Sequence, residues 1–318
     1  MEEKQINKSL RRQFTAIGWA LVVYYLIMNV LAVVTIVGDV LIQYLRGFAA
    51  GEFFLEPDLD ALASNAWGYI VSIAVGLIVM YAWKGGDYWK TDILVKEKPM
   101  TAGTFFCLLS FCIGVQMLNS LWIELLEVIL NQFDMSVIPL LESVSGSSDT
   151  FSMFLYASIL EPITEEIFFR GYILRSLRPY GKRFAIFTSA FLFGLFHGNL
   201  LQTPYAFLVG LVLGYAAVEY HILWAIALHM FNNLVLADLL TRLTANLPEM
   251  ALEVINLVLF GGFLVVSIGI LIAKRREIRD YNRSEWMDRR CLKCFFLSSG
   301  IIVLTVIMVI NIIVMLFV

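Results

Sequence analysis

The sequence predicts an all-α, polytopic bundle of transmembrane helices, and three observations predict it. The 318 residues are 60% hydrophobic and only 15% charged, with a mean hydropathy of +0.80, outside the usual range of soluble domains. Apolar runs near the ~20 residues that cross a ~30 Å hydrocarbon core recur along the whole chain. The basic residues gather in alternate connections between those runs, as short cytoplasmic loops require.

The runs fall at 14–37, 67–83, 102–122, 150–174, 184–198, 204–218, 222–240, 251–273 and 295–318, which makes about nine spans. The first follows "MEEKQINKSLRRQ" and no A-x-A-like site closes it, so it reads as an uncleaved span. With the N-terminus inside, segments 1–13, 84–98, 175–183 and 274–293 hold four, four, four and eight of the 23 basic residues. Arg46 and Arg242 lie outside and Arg170 lies within a span, so the expected topology is N-in, C-out, in the cell membrane. The runs 184–198 and 204–218 are short and joined by "GNLLQTP". The outer segment "GEFFLEPDLDALASNAW" is acidic and expected to be partly helical. The inner segment "KRREIRDYNRSEWMDRRCLK" is strongly basic and reads as a charged helix against anionic headgroups. No long linker or internal repeat divides the chain, so 1–318 is expected to be one membrane domain.

A net charge of −3 argues against nucleic acid as a partner and leaves peptides, membrane proteins and lipids. Of the four cysteines only Cys291 and Cys294 form a C-x-x-C, with no second Cys/His pair to complete a zinc site, so an incidental role is expected.

A charge near the bilayer centre is expensive, so intramembrane ionisable residues point to function. The fourth run carries "EPITEEIFFRGYI", with Glu161, Glu165, Glu166 and Arg170; His197 follows in the fifth, and His229, Asn232 and Asn233 in the seventh. Glu166 and Arg170 are four apart and predict an ion pair on one helix face, which leaves Glu165 free. Pro162 removes a backbone donor just before the cluster and predicts a local kink. Counting a ~1.5 Å rise from the inner boundary puts Glu165 roughly 13 Å deep, His197 roughly 19 Å and His229 roughly 10 Å, so they can share a layer nearer the cytoplasmic half.

The chemistry such a group supports is hydrolysis. A carboxylate beside a neutral His can hold and deprotonate a water, and His and Asn donors one turn apart can stabilise an oxyanion. The same residues could ligate zinc, since His2Glu is a known catalytic set. Any one His or Asn alone would read as interhelical glue; the whole group reads as a catalytic or ion-handling centre. His221 is expected to be an ordinary solvated or interfacial residue, and Glu124 and Glu127 to sit at the outer interface.

Glu165-Glu166-x-x-x-Arg170, then Phe193-x-x-x-His197, then His229-x-x-x-Asn233, on three hydrophobic segments in that order, resemble the signature of the CPBP family of intramembrane proteases. That family includes the CAAX prenyl proteases and bacterial members linked to bacteriocin processing or immunity. The resemblance covers a catalytic core at about 150–240 and implies an eight-helix core to which 295–318 is an addition. It implies that Glu165 and His197 activate the water, that His229 and Asn233 form the oxyanion site, and that Glu166 and Arg170 support them. The family has been described both as zinc-dependent and as glutamate-type without a metal. Asn233 suits an oxyanion donor better than a zinc ligand, so no cofactor is expected; if zinc is bound, Glu165, His197 and His229 are its expected ligands.

Two rival classes use the same residues differently. A proton-coupled transporter would place carboxylates in both halves of a repeated architecture, whereas here they gather in the second half. A non-catalytic immunity or scaffold protein would keep the motifs as a packing network. Nothing in the residues reads a prenyl group, and the expected entry of the scissile bond is from the cytoplasmic side or the inner leaflet.

Overall fold

The computed structural model describes residues 2–51, 56–58, 61–62, 64–85, 88–95, 97–144, 150–285 and 287–317. Much of the expected outer acidic segment lies outside the described residues. The described residues form a helical bundle without strands. Its helices are α1 (Glu2–Ala49), α2 (Trp67–Lys84), α3 (Ala102–Leu130), α4 (Ile138–Val144), α5 (151–177), α6 (Lys182–Phe196), α7 (Gln202–Glu219), α8 (Ile222–Thr244), α9 (Glu249–Ala273), α10 (Arg275–Ser284), α11 (Arg289–Phe296) and α12 (Ser299–Met315).

By length and composition α1, α3, α8 and α9 can each cross a membrane, and α11 with α12 make a fifth if that pair, bent by 61°, is one span. The expected nine spans therefore exist as helices, but not all stand as spans by this measure. α5 is interrupted by its four charges, α6 is only 15 residues long, and Gln202 and Glu219 occupy the ends of α7. Sequence runs found these helices through apolarity shared with their neighbours, and the bundle buries them between longer ones.

Small residues let the helices approach closely, as packing without a hydrophobic driving force requires. Gly18 of α1 and Gly300 of α12 face each other so tightly that a Cβ on either would overlap the backbone of the opposite helix. In the α6–α7 hairpin a Cβ on Gly194 would overlap the Thr203 carbonyl, and Gly210 and Gly214 lie tightly against Ala190 and Ile186. Between these contacts runs a layer of buried rings, where Phe14 meets Phe184 and Phe295 at 5.6 and 5.7 Å. Each such pair adds about 0.5–1.5 kcal/mol beyond its packing area.

At the end of the bundle that carries the basic loops, Glu219 is buried and gathers three donors. Lys98 Nζ and Lys182 Nζ lie 2.9 Å from its carboxylate and the Tyr281 hydroxyl 3.0 Å. Burial pushes the Glu219 carboxyl up, but its lysine partners outweigh that and hold it below the ordinary carboxylate value. Through Tyr281 this hub ties the basic helix α10 to the bundle, so one face of that helix is docked on protein. His221 is another departure from expectation: it is buried, and its Nδ1 accepts the Leu223 amide at 3.1 Å as the N-cap of α8.

Candidate active site

The site is built on three helices, two of which depart from the regular ladder where the polar residues sit, while the third ends there. In α5, α-helical Glu161–Glu166 lies between π-helical Tyr156–Leu160 and Ile167–Leu174. In α8, π-helical Phe231–Leu239 begins two residues after His229. Such wide turns are frequent at functional sites because they re-aim side chains and free carbonyls. Pro162 accounts for one of them. The Glu161 amide bonds the Tyr156 carbonyl five residues back, so the next donor in that register belongs to Pro162, which has none. The carbonyl thus vacated is that of Ala157, and Asn233 Nδ2 donates to it at 3.0 Å.

Glu166 and Arg170 are fully buried and paired, with Arg170 Nη1 2.9 Å from Glu166 Oε1. The guanidinium also lies 4.2 Å above the centre of the Phe193 ring and reaches the Gly210 carbonyl at 3.4 Å. Glu166 does more than the spacing suggested, because the same Oε1 stands 2.9 Å from His229 Nδ1. A buried carboxylate beside arginine accepts, so Nδ1 carries the hydrogen and Nε2 is the nitrogen turned toward Glu165. Glu165 Oε2 and His229 Nε2 are 3.7 Å apart. That is too long for a direct hydrogen bond, and short enough for one oxygen at roughly 2.8 Å to touch both.

His197 terminates α6 and is followed by Gly198 in the left-handed conformation, φ 63°. The link it begins is held from both sides: Asn311 of α12 donates to the Gly198 carbonyl at 3.1 Å, and Trp122 of α3 donates to the Leu200 carbonyl at 2.9 Å. α12 therefore supports the segment that carries His197. The His197 Nδ1 lies 2.9 Å from the Phe193 carbonyl. A carbonyl only accepts, so Nδ1 is protonated and the lone pair of Nε2 is free. Phe193 thus serves three neighbours, since its ring also meets His197 and His229 edge-on at 4.9 and 5.7 Å.

The structure accordingly gathers Glu165, Glu166, Arg170 and His229 in one chain of contacts, and brings His197 and Asn233 to it through Phe193 and Ala157. Among the described residues no group of three His, Cys, Asp or Glu side chains is arranged as a metal site. The residues that sequence reasoning missed are Gln116 and Tyr205, which donate to the side-chain oxygen Oδ1 of Asn232 at 3.2 and 2.5 Å. Gln116 had a legible signal, a lone amide inside the apolar run "FCIGVQML".

These motifs fall in a segment with known kin. Residues 147–235 are Rce1-like. They match the family model described as type II CAAX prenyl endopeptidase, Rce1-like, over less than a third of the chain. No curated protein and no solved structure matches the chain. The match is to the CAAX protease family that the motifs resemble, and α1, α3, α8 and α9 have the length and apolar composition of membrane-crossing helices.

Proposed function

We propose that the protein is an intramembrane endopeptidase that hydrolyses a peptide bond of a membrane-associated or lipid-modified peptide or protein with a glutamate-activated water. The observation that carries this reading is the approach of the half-buried Glu165 Oε2 to His229 Nε2 at 3.7 Å, beside a neutralised Glu166–Arg170 pair, within the Rce1-like segment. In this reading Glu165 and the free Nε2 of His197 hold the water, and Glu165 takes its proton as the hydroxide adds to the scissile carbonyl. Asn233 donates an N–H to the resulting oxyanion beside the His229 ring, and Glu165 returns the proton to the departing amine. Glu166 fixes the His229 ring through Nδ1, and Arg170 balances the charge of Glu166. The steps use only this chain's side chains.

The family description makes a prenylated C-terminal peptide the first substrate to try, delivered from the cytoplasmic side or laterally from the inner leaflet. The basic face of α10 is the surface that would rest on anionic headgroups there. The test is cleavage of prenylated and unprenylated peptides by the purified protein in detergent, comparing wild type with Glu165→Gln and His197→Ala, with and without chelator. Cleavage lost in both variants and resistant to chelator is the expected result. Wild-type rates in Glu165→Gln would refute the reading, and loss to chelator with recovery on zinc would replace it with a metalloprotease.

A further inference from the structure

The mechanism above needs Asn233 to present an N–H to the oxyanion, and an Asn side chain can as easily present its oxygen. What decides the polarity lies outside the three motifs. The Ala157 carbonyl can only accept, so the Asn233 atom 3.0 Å from it must be the amide nitrogen. Asn233 Oδ1 then faces its neighbour and requires a donor, which is Asn232 Nδ2 at 3.1 Å. That places Asn232 Oδ1 on the opposite side, where it needs donors in turn. It finds the Tyr205 hydroxyl at 2.5 Å and Gln116 Nε2 at 3.2 Å, while Gln116 Nε2 also reaches the Tyr205 oxygen at 2.6 Å. From Pro162, which vacates the carbonyl, to Gln116 on α3, each group has one consistent orientation. In that orientation Asn233 has its oxygen and one N–H committed, and one N–H left over.

We propose that Asn232, held by Tyr205 and Gln116, is a positioning residue that fixes the Asn233 amide with its uncommitted N–H available to the oxyanion. The proposal rests on the oxyanion reading above and adds three residues from α3, α7 and α8 to the catalytic apparatus. Asn232 is buried and touches no reacting atom in this account; it acts only through Asn233.

The decisive variant is Asn232→Asp. As a carboxylate the new side chain can accept from Tyr205 and Gln116 but cannot donate to Asn233 Oδ1, so the Asn233 amide loses its orientation. As a carboxylic acid it has the donor and acceptor pattern of the original amide. The expected result, on the peptide that wild type cleaves and Glu165→Gln does not, is a fall in kcat of about 10²-fold at pH 8 with KM unchanged. The ratio of variant to wild-type kcat then rises as pH falls, because protonation restores the missing donor. Tyr205→Phe, which removes one donor and little volume, is the second variant and lowers kcat several-fold with unchanged KM. In an Asn233→Ala background neither change has a further effect, since residues that act as one unit are non-additive.

A ratio that stays at unity across pH would overturn the proposal. So would losses that persist undiminished in the Asn233→Ala background, which would mark the network as packing alone. Wild-type cleavage by Asn233→Ala itself would instead overturn the oxyanion reading, with Glu165→Gln still reporting on the general base.

Discussion

Arg170→Met isolates what the buried ion pair contributes. Both partners are fully buried at 2.9 Å, and two unit charges at about 4 Å attract by about 4 kcal/mol at an effective dielectric of 20. Methionine retains much of the apolar stem, so the change removes charge more than volume. It leaves Glu166 with His229 as its remaining partner, and breaking one side of a buried pair typically costs about 3–5 kcal/mol. Loss of the guanidinium from the Phe193 ring adds about 0.5–2 kcal/mol. We expect a total of about 5 kcal/mol, read as a shifted midpoint when the protein in mixed micelles is unfolded with SDS and followed by tryptophan fluorescence. The control is Glu166→Gln combined with Arg170→Met. The amide introduced by Glu166→Gln carries no charge to strand and still accepts from His229, so the double variant should recover about 2–3 kcal/mol of the loss. A single variant within about 1 kcal/mol of wild type, or a double variant no more stable than the single, would refute the assignment of the pair as mutually compensating charges.

The remaining predictions concern the elements that frame the site. The Glu219 carboxyl is held below its ordinary value, so its contribution is fully present above about pH 4.3 and is lost as pH falls through the folded value. Lys98 is held above its ordinary value by the same contact, so its contribution is present below about pH 10.4 and is lost as pH rises through its folded value. Protection of the α10 amides from hydrogen exchange, relative to their intrinsic rates, should therefore fall as pH drops below about 4.3, and Glu219→Gln should give low protection at neutral pH that no longer responds to acid; unchanged protection in that variant would show that the hub does not hold α10. Gly194→Ala would set a Cβ 2.6 Å from the Thr203 carbonyl and 2.9 Å from Phe207 Cβ. It should cost about 1–3 kcal/mol by overpacking and lower cleavage by displacing His197 three residues on, whereas wild-type unfolding and cleavage together would show that the α6–α7 hairpin yields there.

The sequence by itself determined the membrane class, the helical bundle and the residues of the three motifs. Those follow from local quantities: hydropathy, the placement of lysine and arginine, and the helical spacing that pairs Glu166 with Arg170. It also located the proline that interrupts α5, since the missing donor belongs to one residue. Spans were less legible than helices, because 15 to 18 apolar residues read alike whether they face lipid or longer neighbours. Tertiary structure alone decided the partners. Glu166 meets His229 as well as its ion-pair partner Arg170, His221 turns from an interfacial residue into a buried cap, and α12 reaches across the bundle to hold the link after His197. Gln116 and Tyr205 meet Asn232 over 116 and 27 residues of chain. No periodicity encodes such meetings, because a hydrogen bond between helices depends on their rotation and approach, which the packing of glycines and rings across the whole bundle sets.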